Sequence, residues 1–305
     1  MTTLNLFHDH LVSQDCAAAT CKGYLADLRQ FANWFQQTNG ELLTPQALTP
    51  ADVREYRQFL LTVERYKAAT INRRLAAITA FAKWALITGQ IQNDPTLHIK
   101  SVKKVAGAPK WLDKSEQFAL QRAIEKDLQI SRLRYPKRVV TRRRDASITL
   151  FLLNTGLRLA ELAGMRLGDI QLSERKGSLL VQNGKGGKQR LIPLNSEARK
   201  ALQEWLDVRP KSNSDLVWVG VEGTTGGLST RAVQRILERY AVEAGLEVFT
   251  AHTCRHTFAK NLANQGVGLE KIASLLGHAN LNTTQIYLVP DARDLEQAVG
   301  KLENY

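Results

Sequence analysis

The residues of this chain best suited to chemistry crowd into one stretch, Ala251–Leu288, AHTCRHTFAKNLANQGVGLEKIASLLGHANLNTTQIYL. His252, Arg255 and His256 stand at i, i+3 and i+4, which puts them on one face of a helix. Phe258, Ala259, Leu262 and Ala263 supply the apolar stripe that such a helix buries. Gly266 and Gly268 break it, a second short helix runs through Ile272 and Leu276, and Gly277 ends that one, so His278 falls just past a helix C-terminus. Asn282 is placed to cap a third helix that carries Tyr287 and stops at Pro290. Guanidiniums can clamp the non-bridging oxygens of a phosphodiester, imidazoles can hydrogen-bond or move protons, and a phenol oxygen can attack phosphorus and hold it covalently. Taken singly, each residue also reads as an ordinary surface arginine, a satisfied histidine or a core tyrosine.

Two further elements must bring partners to that stretch. Asp145 opens a buried helix through Ile148, Phe151 and Leu152 that ends at Asn154-Thr155-Gly156, and Leu157–Glu161 opens the next. Arg158 then sits near a helix N-terminus, where backbone amides and the dipole also favour an anion. Glu161 is one turn on, able to orient the guanidinium or simply to form a helix-surface ion pair with it. From Ile170 to Leu194 the period changes. Ser178–Gln182 and Gln189–Pro193 read as two strands around Asn183-Gly184-Lys185-Gly186-Gly187-Lys188. That turn lacks the order of a phosphate-cradling loop and is followed by a strand, not a helix. It extends Lys185 and Lys188 at a hairpin tip, where they either solubilise the turn or meet a polyanion.

The combined pattern, Thr-Gly-Leu-Arg-x-x-Glu at 155–161, His-x-x-Arg-His at 252–256, Gly-His twenty-three positions after Arg255 and Tyr287 nine positions later, resembles the signature of the tyrosine recombinases of the phage-integrase family, Xer proteins among them. The resemblance spans nearly the whole chain and is strongest from Thr155 to Tyr287. It implies that Arg158 and Arg255 clamp the scissile phosphate, that His252 and His278 hydrogen-bond or take a proton beside it, and that Tyr287 is the nucleophile. It implies that Lys185, or failing that Lys188, protonates the leaving 5′ oxygen. Glu161 and His256 take supporting positions. Cys254 stands where the family usually has an apolar residue and reads as a small hydrophobe. One phosphodiester replaces another, so neither ATP nor a metal cofactor is implied, in keeping with a sequence that shows no carboxylate cluster for Mg²⁺.

Composition agrees. A net charge of +13 over 305 residues, with a pI near 9.8, calls for a polyanionic partner. Cys16, Cys21 and Cys254 cannot form a disulfide framework, which fits a reducing cytoplasm, and no apolar run is long enough for a membrane span. The expected architecture is mainly α with a small antiparallel β-sheet. Residues 1–99 form a helical unit, 100–110 a basic linker, and 111–305 a mixed α/β unit. By resemblance these become a SAM-like core-binding domain and a catalytic domain of the tyrosine recombinase fold. Its last helix, 291–304, packs either on a neighbouring protomer or back in cis. In the first unit, Tyr24, Leu28, Phe31 and Phe35 mark one helix, Thr49-Pro50-Ala51-Asp52 starts another, and Thr70 opens a third. That third helix leaves Arg73, Arg74 and Lys83 outside, for solvent or for the DNA duplex.

Lys103 and Lys104 in the linker suit either a charged tether or phosphate contacts. Ser131–Arg144 holds seven Arg/Lys and no acid, Arg142 and Arg143 among them, and reads as a basic loop that is either solvated or laid against a backbone of phosphates. Arg231, Arg235 and Arg239 recur at four-residue steps on one helix face. The resemblance further implies double-stranded recombination sites as partner and a homotetramer on two of them. Three rivals remain at this level. One is a type IB topoisomerase-like enzyme with the same tyrosine chemistry, and another a DNA-binding protein without chemistry. The third is a metal site built from His252, Cys254 and His256, which lacks a general-base Glu between its histidines.

Overall fold

The computed structural model describes residues 3–103, 110–182, 189–221, 226–278 and 282–286. The chain divides into two compact units, Met1–Gly107 and Ala108–Tyr305.

The first unit is helical: α1 Thr3–Ser13, α2 Ala18–Asn39, α3 Pro50–Thr62 and α4 Ala68–Ile87. Helix α3 starts where the sequence says it should. The Asp52 amide donates to Thr49 Oγ1 at 3.3 Å and the Thr49 amide to Asp52 Oδ2 at 2.8 Å, with Pro50 supplying a fixed φ in the first turn. Helix α4 begins two residues before Thr70. The apolar positions at helical spacing, Phe7, Leu28, Phe31, Phe35, Tyr56, Leu60, Ile78, Phe81 and Trp84, form one core. Its aromatics are packing partners, Phe7 meeting Phe81 edge-on at 5.6 Å. Arg73 and Lys83 are exposed as expected, Arg73 paired with Asp27. Arg74 is not. It is 8% exposed, its guanidinium lies 4.4 Å from the Tyr66 ring centroid, and Nη1 donates to Tyr56 Oη at 3.4 Å. The aromatic pocket between α3 and α4 draws it inward. Lys103 is exposed, and Lys104 lies outside the described residues.

The second unit contains α5 Lys114–Arg134, α6 Val139–Thr155, α7 Leu159–Ala163, β1 Ile170–Leu172, β2 Gly177–Val181, β3 Arg190–Pro193, α8 Ser196–Leu206, α9 Thr230–Ala244, α10 Ala251–Asn264, α11 Leu269–Leu276 and α12 Asn282–Gln285. The strands form an antiparallel sheet in the order β1-β2-β3, with Leu179 opposite both Ile170 and Ile192. Leu179 and Ile192 enter a core centred on Phe151, Trp205, Trp218 and Tyr240, where Trp205 Nε1 donates to the Val217 carbonyl at 2.8 Å. Thus the architecture is mainly helical with one small antiparallel sheet.

Two expectations fail here for the same reason. Ser131–Arg144 is not a basic loop, since α5 and α6 run through it with a single 3₁₀ turn at Pro136–Arg138 between them. Asp145 lies inside α6 rather than at its start. Acids on α5 and on α6 itself take up some of these cations. Arg144 donates to Asp145 at 2.8 Å, Arg142 approaches Asp127 at 3.5 Å, and Arg239 on α9 bridges Asp127 at 2.9 Å and Asp145 at 3.2 Å. Buried charges persist only when paired in this way. Arg142 and Arg143 are half-buried, Arg239 is spent on the network, and Arg231 and Arg235 are exposed on α9. Among the described residues, no helix is long and apolar enough to cross a membrane.

Candidate active site

Three turns build the site. The first is the end of α6, where Gly156 adopts φ +62° and its amide donates to the Leu152 carbonyl at 3.0 Å. A Cβ on Gly156 would fall 2.6 Å from Phe258 Cδ1, so only glycine lets α10 pack against this turn. That packing brings Arg255, one turn before Phe258 on α10, to the Gly156 carbonyl, to which Nη1 donates at 2.8 Å. Helix α10 is itself started by Thr250, whose hydroxyl accepts from the Thr253 amide at 3.2 Å.

The second turn is the start of α7. Arg158 stands at its N-cap with extended backbone, and its amide donates to Glu161 Oε2 at 2.8 Å while Nη1 donates to Glu161 Oε1 at 2.8 Å. Glu161 therefore orients Arg158 through both backbone and side chain.

The third turn is the end of α11, which is held to α10 by Ile272 and Leu276 packing with Ala259, Phe258 and Leu262. Gly277 takes φ +65°, its amide donates to the Ser274 carbonyl at 3.1 Å and the His278 amide to the Ala273 carbonyl at 3.0 Å. These bonds leave the last carbonyls of the helix free to accept from elsewhere. Three arginines take them in succession. Arg190 Nε donates to Leu275 O at 2.9 Å, Arg255 Nη2 to Leu276 O at 2.5 Å and Arg158 Nη2 to Gly277 O at 2.9 Å. The negative end of the helix dipole supports the same cations.

His278 follows immediately. Its Nδ1 lies 2.9 Å from Thr284 Oγ1 on α12, a hydroxyl that is fully buried. Its imidazole is pushed down from 6.5 to about 4, first by burial and then by the charges of Arg255 and Arg158, with His256 and Arg190 adding less. His278 is thus neutral at physiological pH. His252 and His256 share a face of α10, as their spacing predicts, with ring centroids 6.5 Å apart. His252 is exposed and His256 half-buried, and burial, then His252 and Arg255, hold His256 below the usual histidine range. Glu161 is kept ionised. Burial opposes this, but hydrogen bonds from Arg190 and Arg158 outweigh it and bring the carboxyl to about 2.

The structure therefore gathers Arg158, Glu161, Arg255, His256 and His278 at one place, with His252 one turn before His256 on the same face of α10. Cys254 is fully buried behind them, its thiol pushed up by burial, as expected of a small hydrophobe. Among the described residues no group of three or more His, Cys, Asp or Glu side chains is placed to hold a metal ion. Lys185, Lys188, Tyr287 and residues 291–304, where a last helix is expected, lie outside the described residues. Sequence reasoning missed Arg190. The signal was present, since Arg190 stands two residues before the buried Ile192 on β3 and so shares its inward face.

Comparison with known proteins places this geometry. The model for the phage integrase family matches residues 125–293, and that for the phage integrase N-terminal SAM-like domain matches residues 4–90. The tyrosine recombinase XerC of Corynebacterium glutamicum is 32% identical over 98% of this chain and 91% of its own. The tyrosine recombinase XerD of Listeria monocytogenes is 31% identical over 93% of this chain and 92% of its own. The same fold is seen in the XerH site-specific recombinase bound to a palindromic difH substrate in a post-cleavage complex (TM-score 0.73, 22% identity, 95% of this chain and 82% of that one). It recurs in a lambda integrase dimer bound to a core site (TM-score 0.71, 17% identity, 93% of both chains). The chain belongs to the phage integrase family, among its tyrosine recombinases.

Proposed function

We propose that this protein is a site-specific recombinase that cuts and rejoins DNA strands through a 3′-phosphotyrosyl intermediate, with double-stranded recombination sites as substrate. The observation that carries the reading is the convergence of Arg158, Arg255 and His278 at the end of α11, nine residues before Tyr287 in the sequence.

Among the described residues Arg158 spends two of its five N–H groups on Glu161 and Gly277, leaving three for a phosphate. With Arg255 it offsets charge that grows on the non-bridging oxygens as phosphorus becomes five-coordinate, in a frame that needs no reorganisation at that moment. His278, neutral and tethered by Thr284, presents Nε2 as a hydrogen-bond partner or proton acceptor, and His252 flanks it from α10. Tyr287 Oη attacks phosphorus, the bond to the 5′ oxygen breaks, and Lys185 gives that oxygen a proton, with Lys188 as the alternative donor. A free 5′ hydroxyl from a second duplex then reverses the step. Bond energies balance, so the chemistry asks for no ATP and no metal.

Exposed Arg73, Lys83 and Lys103 on the first unit, and Arg231 and Arg235 on the second, each offer cations to duplex phosphates. Four protomers acting on two sites, each contributing its C-terminal helix to a neighbour, complete the reading. DNA as substrate and cysteines that are all free support action in a reducing cytoplasm.

The test uses a nicked suicide substrate that traps cleavage. Wild type is expected to give a denaturant-resistant protein–DNA adduct, and Y287F none, with duplex affinity retained. An adduct that persists in Y287F would falsify the assignment. Mass photometry of the trapped complex should show four protomers per two duplexes.

A further inference from the structure

We infer that Arg190 is a positioning residue for strand transfer: from β3 it takes up the charge of Glu161 and ties it to the end of α11, leaving the charge of Arg158 available to the scissile phosphate. The inference rests on the reading of this site as the strand-transfer centre.

The geometry is a closed frame. Arg190 grips Glu161 fork to fork, Nη1 to Oε1 at 2.8 Å and Nη2 to Oε2 at 2.7 Å. Arg158 adds its amide to Oε2 and Nη1 to Oε1, both at 2.8 Å. The carboxylate thus accepts four N–H groups, which fills its lone-pair sites. Through Nε the same Arg190 side chain holds Leu275 O at 2.9 Å, and its Nη1, Cδ and Cζ lie 3.0–3.2 Å from where a Cβ on Gly277 would stand. One side chain thereby fastens β3, α7 and α11 together.

Exposure separates the roles of the two arginines. The Arg158 side chain is 28% accessible and has three N–H groups without a partner among the described residues, whereas that of Arg190 is 10% accessible and has its fork and Nε committed within the protein. Arg158 reaches a substrate and Arg190 does not. Charge explains why a second guanidinium is needed. A lone Arg158–Glu161 pair would be neutral as a unit, and Glu161 could swing to take both Nη groups of Arg158. With Arg190 present, two cations share one carboxylate, and the unit keeps a net positive charge directed at the phosphate.

The experiment compares single-turnover cleavage of the nicked suicide substrate by wild type, R190M, R190K and the double variant R190M/E161Q, at saturating protein and with duplex affinity measured alongside. R190M is expected to lose about 10- to 100-fold in cleavage rate, as displaced clamping groups do, with duplex affinity changed by less than about threefold. Replacing Glu161 by neutral glutamine should return part of that rate, because nothing then neutralises Arg158. A purely structural role for Arg190 gives the opposite ordering, with the double variant worse.

The second readout is the His278 ring titration by NMR in DNA-free protein. His278 faces Arg255 and His256 from α10, Arg158 from the start of α7 and Arg190 from β3. Its midpoint should rise in R190M and hold in R190K, which keeps the charge. Wild-type cleavage by R190M, or a double variant slower than R190M, overturns the inference. Should R190M fail to melt cooperatively, R190K decides, since loss of the fork alone must slow cleavage and an unchanged rate overturns the proposal. If wild type itself forms no adduct, the recombinase reading fails, and the His278 titration still reports on Arg190.

Discussion

Arg158 and Gly277, 119 residues apart in the chain, are joined by one hydrogen bond, from Nη2 to the glycine carbonyl at 2.9 Å. It belongs to a run of three, because Leu275, Leu276 and Gly277 each receive a different arginine. The end of a two-turn helix leaves carbonyls without helical partners and carries a partial negative charge, so it can gather guanidiniums that would otherwise repel one another. The residue that follows, His278, is kept neutral first by burial and then by the cations around it.

Gly277→Ala should damage both stability and strand cleavage. Alanine at φ +65° costs about 1–2 kcal/mol, and its methyl would also stand 3.0 Å from Arg190 Nη1 and 3.1 Å from Cδ. Gly245→Ala is the matched control, since φ is +67° at the end of α9 and nothing lies within 4 Å. Thermal melts should show a larger fall for Gly277→Ala, and only that variant should cleave slowly. Equal falls would remove the contact with Arg190 from the explanation.

Acidification should weaken the fold through His278 before it does so through Glu161. His278 titrates at about 4 when folded against 6.5 when unfolded, so the unfolded chain binds the extra proton and stability drains away as pH falls from 6.5 towards 4. Solvent screening at this half-buried ring reduces the loss to roughly 1–2 kcal/mol. Glu161 adds stability that is present above 4.5 and disappears as pH falls through about 2. Urea unfolding at pH 7.5, 6 and 5 should give a steeper decline for wild type than for His278→Gln, and parallel curves would count against this account.

Arg74 and Lys83, one buried and one exposed on the same helix, should separate cleanly. Arg74→Ala removes a cation packed on Tyr66 and is expected to destabilise the first unit by about 1–3 kcal/mol. Lys83→Ala should leave the melting temperature alone, weaken duplex binding and reduce its salt dependence by about one ion. The reverse pattern would show that the exposed face of α4 is not the one meeting DNA.

The elements of this protein were legible because their signals are local. Thr49 and Asp113 open helices through capping boxes, Gly156 and Gly277 close them at positive φ, and alternation marks β2 and β3. Spacing also placed His252 and His256 on one helix face, and the same run of motifs carried the family. Where locality ended, so did the reading. Ser131–Arg144 reads as a loop because seven cations stand there without an acid, yet Asp127 on α5 and Arg239 on α9 complete a part-buried network that holds α5 and α6 together on either side of the 3₁₀ turn.

Residue types and spacing alone determined that two arginines, histidines and a tyrosine belong together in strand-transfer chemistry. Tertiary structure decided how each charge is spent. Arg74 went to an aromatic pocket, Arg255 and Arg158 to the carbonyls ending α11, and Arg190 to Glu161, 29 residues away. A guanidinium carries the same charge wherever it sits in a sequence, and which acceptors come within 3 Å of it depends on how distant segments fold past one another.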